Sequence, residues 1–224
     1  MLLISASWAY GQQDVQFTQF MQNRFFYNPG VTGNSGSICL IGAHRSQWVG
    51  FDNAPVTQNF SAEVPLEVLH GGVGLQFTQD KIGYFKDLNL GISYAYQHTL
   101  DNGGVIGAGL QFDIRNKNVS GGEWISSDPI DPSIPNMGQS STDFDLNFGI
   151  YYQDDKWWGG FSTVRIIEAT ASFENSLSST VESFKNKRSY LLMAGYNYAL
   201  ENSNIVLMPA LLLKTDFAAS PSAD

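Results

Sequence analysis

Three histidines, one cysteine and a few carboxylates are the residues through which this chain could do chemistry. His44, His70 and His98 have no ligand-type partner two or four positions away, so the spacing that builds a metal site is missing. Each, on or beside an expected strand, reads as a histidine of a barrel's interfacial girdle or lumen. Cys39 stands alone, which excludes an internal disulfide and a cysteine zinc cluster, and its expected role is a small filler on a strand. No Gly-x-Ser-x-Gly elbow is present, and Gly33-Asn34-Ser35-Gly36 reads as a turn. Asp128 and Asp131 alternate with Pro129 and Pro132 in a polar stretch. Loop carboxylates of this kind can bind calcium, but the spacing lacks the calcium-loop pattern and the default is a solvated loop. With Trp124 they form an expected partner contact. Asp113 and Arg115, two positions apart on an expected strand face, are either a charge network inside a barrel or the lining of a pore, and the residues alone do not separate the two. No catalytic set emerges, and the chain reads as a non-enzyme.

The elements that must position these residues are strands. Aromatics make up 13% of the 224 residues, there are 22 glycines, and only 15% of residues are charged, a mix that suits many strands joined by tight turns. The plainest signal is a hairpin, Asp87 to Leu100 and Gly104 to Lys117, joined by Asp-Asn-Gly-Gly, which supplies the positive φ a tight reversal needs. Leu90, Ile92, Tyr94, Tyr96 and Leu100 share one face of the first strand; Asn89, Gly91, Ser93, Ala95, Gln97 and Thr99 share the other. In the second strand Ile106, Ala108, Leu110, Phe112 and Ile114 alternate with Gly107, Gly109, Gln111, Asp113 and Arg115. A soluble sandwich also alternates. These strands, however, exceed the roughly 5 or 6 residues of globular sheets and reach the roughly 9 to 11 that a tilted membrane strand needs. A polar face of Gly, Ser, Gln and Asn suits a lumen better than an exterior rich in Lys and Glu.

The same pattern predicts strands over Gly36 to Ser46, Val56 to Pro65, Gly72 to Asp80, Asp143 to Tyr152, Trp157 to Ile166, Ser189 to Leu200 and Asn204 to Lys214, nine in all with the hairpin. Trp48, Tyr84, Trp124, Tyr151, Tyr152, Trp157, Trp158 and Tyr198 fall near strand ends, as an interfacial girdle would. Val119 to Thr142 and Glu168 to Arg188 have loop composition and are expected as irregular extracellular loops, with the Asp101 to Gly104 reversal on the periplasmic side. Residues 1–11 read as a signal-peptide remnant, 12–35 as a periplasmic lead-in, and 36–224 as an all-β, antiparallel transmembrane β-barrel, incomplete at its C-terminus because single-chain barrels favour an even strand count. The lead-in portion Gln13 to Phe20 could plug the lumen, touch a periplasmic partner or simply precede the barrel; its composition does not choose.

A mean hydropathy of -0.14 does not argue against membrane insertion, because a barrel spreads its apolar signal over alternate positions. The net charge of -9 argues against nucleic acid, which binds clustered Lys and Arg.

Four stretches in order resemble the PorP/SprF family of membrane proteins associated with the type IX secretion system of Bacteroidetes. They are QDVQFTQFMQNRFFYNPGVTG (Gln13 to Gly33), HRSQWVGFDNAPVTQNFS (His44 to Ser61), GGVGLQFTQDKIGYF (Gly71 to Phe85) and LNLGISYAYQHTL (Leu88 to Leu100). The resemblance implies a barrel in the cell outer membrane that helps type IX cargo, such as gliding-motility adhesins, to be exported or held at the surface. The implied partners are type IX secretion components, secreted surface cargo and outer-membrane lipid, with no nucleic acid, cofactor or small-molecule substrate. The Gly- and Gln-rich lumen face supports an alternative, a general diffusion porin or small-solute channel.

Overall fold

The computed structural model describes residues 17, 19–120, 138–174, 181–200, 205–217 and 222–223. Three short 3-10 turns, Phe20–Gln22, Arg24–Phe26 and Pro29–Val31, precede the strands. In chain order these are β1 (Cys39–Ser46), β2 (Val56–Leu66), β3 (Gly71–Ile82), β4 (Phe85–Thr99), β5 (Val105–Val119), β6 (Gln139–Gln153), β7 (Trp157–Val164), β8 (Thr170–Glu174), β9 (Val181–Lys185), β10 (Ser189–Tyr196), β11 (Tyr198–Ala199), β12 (Val206–Leu207), β13 (Ala210–Thr215) and β14 (Ser222–Ala223). One antiparallel sheet runs β1-β2-β3-β4-β5-β6-β7-β10-β13-β14. Strands lie within all nine expected stretches, the last two of them in two pieces each.

The two faces of this sheet are inverted relative to a water-soluble protein. On β4, Ile92 is 55% exposed while its neighbour Ser93 is 2% exposed; on β5, Leu110 is 53% exposed and Gln111 4%. Apolar side chains point outward and polar ones inward, an arrangement stable only where the outer solvent is hydrocarbon. β4, β5 and β6 have 15 residues each, ample to cross a bilayer at a tilt. No described helix is long and apolar enough to cross a membrane.

Turn chemistry sets the ends. Gly103 takes φ +83°, Leu100 N–H donates to Gly104 O at 2.7 Å, and the Asn102 side chain accepts from Gly104 N–H at 3.0 Å. At residues 154–156 the Asp154 carboxylate accepts from the Lys156 and Trp157 amides at 2.7 and 2.6 Å, closing the turn between β6 and β7. The up-and-down order places the turns at 67–70, 100–104 and 154–156 at one end of the sheet, here the turn end. The long connections 120–138 and 165–188 leave from the other, the loop end.

Three expectations need correction. The connection Glu168 to Arg188 is not irregular: β8 and β9 pair within it, Thr170 opposite Lys185, and each carries a β-branched and an aromatic residue, types that favour strands. The strand expected over Asn204 to Lys214 is interrupted at Pro209, which has no amide to donate. β11 and β12 nevertheless continue the β10–β13 hairpin, with Tyr196 N–H donating to Pro209 O. The girdle also loses two members. Tyr151 and Trp158 are 1% and 3% exposed and point inward; of two adjacent strand residues only one can face lipid, and Trp157 takes that side.

Candidate functional site

The polar, concave face of this curled half-barrel sheet lines two zones. The zone toward the turn end is filled by residues 19–33. Asn23 donates to Asn59 on β2 at 3.0 Å while its neighbour Arg24 reaches Tyr151 Oη on β6 at 2.6 Å. β2 and β6 are four strand spacings apart, about 19 Å on a flat sheet, so the sheet curls around this segment.

Its centre is Asn28-Pro29-Gly30, read from sequence as turn chemistry and found as a fully buried 3-10 turn. The Asn28 side chain accepts from Gly30 N–H at 2.8 Å and donates to Ile150 O and Phe161 O at 3.0 and 3.3 Å, binding the turn to β6 and β7. The turn lies on a glycine floor. Gly109 and Gly149 face each other across β5 and β6, and a methyl group on either would overlap Pro29 or Asn28. Further ties are Ser162 Oγ donating to Tyr27 O at 2.6 Å, Thr32 Oγ1 with Ser93 Oγ at 3.0 Å, and Gly33 N–H donating to Glu63 Oε2 at 2.9 Å. Phe20, Phe25, Tyr27 and Val31 form an apolar cluster with Tyr151 and Trp158, burial worth about 1.5–3 kcal/mol for each large side chain. The Arg24 guanidinium lies 4.2 Å from the Trp158 ring centroid.

Toward the loop end the lining changes from apolar to charged. Phe26 and Tyr27 floor a cavity of about 130 Å³ whose wall includes Gln76, Asn89, Asp113 and Arg115. Asp113 is 4% exposed and accepts from Gln111 Nε2 and Asn147 Nδ2, both at 2.8 Å. Across the ladder Asp113 faces Asp145 and Arg115 faces Asp143. Asp145 accepts from the Leu146 and Ile167 amides at 2.8 and 3.0 Å. Among the described residues, Gln76 Nε2, Asp87 Oδ1, Asn89 Oδ1 and the Nε and Nη1 of Arg115 have no hydrogen-bond partner. Each such atom costs about 1–3 kcal/mol if kept dry, so this wall suits water or a polar guest.

The chain folds inward after β7. Arg165 adopts φ +60°, is 3% exposed, and donates through its amide to Asn147 Oδ1 at 2.8 Å and through Nη2 to Ser189 Oγ at 2.7 Å. Asn186, at the return, donates to Asp143 and accepts from Lys117 Nζ at 2.8 Å. The stem of the 165–188 connection thus lies over the loop-end mouth. At its base Glu168 accepts from Lys185, 3.1 Å away, and from the Arg188 amide. These two contacts, Lys185 first, hold its carboxyl below the usual glutamate range.

Asp113 and Arg115 therefore stand in one chamber, while Trp124, Asp128 and Asp131 lie outside the described residues. His44, His70 and His98 lie on β1, in the β2–β3 turn and on β4, and no metal-binding group of His, Cys, Asp and Glu occurs among the described residues. Cys39 is on a strand as expected but faces Glu63 on the polar side, so it is no apolar filler. Sequence reading missed the segment's contacts with β6 and the Arg165 turn. The alternating glycines of β5 were visible, but not what they make room for. A family model described as Type IX secretion system membrane protein PorP/SprF matches residues 9–224. No curated protein and no solved structure matches the chain.

Proposed function

The chain belongs to the PorP/SprF family of type IX secretion system membrane proteins, and from that premise we propose that it is an outer-membrane β-barrel partner of the machinery that assists export or surface anchoring of protein cargo such as gliding-motility adhesins. The observation that carries this reading is the polarity of the curled sheet from end to end. The charged chamber and the strand ends from which both long connections leave lie at one end, and the opposite end is occupied by residues 19–33. A pocket blocked at one end favours holding a protein over passing solutes. A diffusion porin needs an aqueous path from end to end, and the N-terminal segment lies in that path.

The loop end then faces outward and the turn end faces the periplasm. Affinity purification of the full-length protein from native outer membranes in mild detergent, followed by mass spectrometry, tests the role. Secretion components or a large surface protein in near-stoichiometric amounts support it; a barrel that elutes alone counts against it.

A further inference from the structure

Residues 19–33 are built into the wall more tightly than a passing lead-in requires. Asn28 and Thr32 are both 0% exposed and their polar groups are satisfied by the strands around them. At Gly107, Gly109 and Gly149 there is no space for a methyl group, hence none for a water layer between segment and sheet. Directly beyond Phe26 and Tyr27 the wall carries unpartnered polar atoms, so the boundary between dry and wet lumen falls at these two rings.

We infer that Gln19–Gly33 is a plug that seals the lumen against solutes, and that Arg24 is its latch. Arg24 is the only charged residue in the segment and sits at its half-buried margin. One side chain makes four ties: Nη1 to Tyr151 Oη at 2.6 Å and to Gln153 Oε1 at 2.9 Å, Nε to Met21 O at 3.1 Å, and the guanidinium face over Trp158. A planar fork that donates in its plane while stacking through its face is chemistry lysine does not reproduce. The ladder hydrogen bonds of β4 to β7 are made between strands and not to the segment, so the wall does not need the latch to keep its register.

The inference rests on the barrel reading but not on what the loop end holds. Its test uses full-length protein carrying Cys39→Ala and Ser162→Cys. Ser162 is 1% exposed beneath Tyr27, so a membrane-impermeant maleimide should label the new thiol slowly. Adding Arg24→Ala should raise the labelling rate about tenfold or more, the scale of losing charge-assisted hydrogen bonds, and Arg24→Lys should fall between. In planar bilayers the parent protein should show no steady conductance and the Arg24→Ala protein should conduct. Fast labelling or a steadily open pore in the parent overturns the seal, even if every plug variant fails to fold. Equal labelling of the parent and a folded Arg24→Ala protein overturns the latch. An open parent pore with partners still bound counts against the plug alone, and a sealed barrel without partners counts against the proposed role alone.

Discussion

Asn28 lies over Gly149 so closely that a methyl group on the glycine would overlap the asparagine amide oxygen. The contact joins a turn near the N-terminus to the middle of β6, and the same amide closes its own turn by accepting from Gly30 N–H. Gly149→Val should therefore destabilise the folded barrel by about 1–3 kcal/mol, the usual cost of forcing volume into a packed site. The urea midpoint in lipid vesicles checks this, and an unchanged midpoint would show that the turn does not rest on the strand.

Asn28→Ala removes one acceptor and two donated hydrogen bonds at a fully buried position. The expected loss is about 1–3 kcal/mol. Asn28→Asp keeps the bond from Gly30 N–H but places a carboxylate against the carbonyls of Ile150 and Phe161, so it should be at least as damaging. If Asp proves milder than Ala in the same unfolding assay, the donated bonds contribute little.

Ile92 is 55% exposed on the outer face, where in water a charged replacement is close to neutral. In a bilayer, Ile92→Arg should cost about 2–4 kcal/mol if the site lies near the midplane. Asp101→Arg, in the 100–104 turn, is the control with little expected effect. Equal stabilities of the two variants in lipid vesicles would contradict the membrane reading of this face.

Asp154 provides a pH handle outside the spanning strands. The Trp157 amide first, then the Tyr152 hydroxyl and the Lys156 amide, hold its carboxyl below the ordinary aspartate value of 3.8. A depressed value means the charged form stabilises the turn above 3.8, and that support is lost as pH falls through the lower folded value. Exchange protection of the Lys156 and Trp157 amides, corrected for the intrinsic rate, should drop at the acid end. In Asp154→Asn the drop should vanish.

The alternation of Leu90 to Tyr96 against Gly91 to Ala95, and of Ile106 to Phe112 against Gly107 to Asp113, determined the strands, their two faces and the tight turn at 101–104. A period of two is a local property, so the chain carries it without help from its fold. It also placed Asp113 and Arg115 on the inner face. The same period of two separates Trp157, exposed on the outer face, from Trp158, buried on the inner one.

Only the tertiary structure decided where the N-terminal segment goes and what the inner glycines are for. Asn28 meets Gly149, and Arg24 meets Tyr151, because a curled sheet brings β6 beneath a turn far away in sequence, and neither spacing nor composition marks such a pair. The inward turn at Arg165 is of the same kind. An arginine at φ +60° persists because Asn147 and Ser189 hold it there, and both come from other strands.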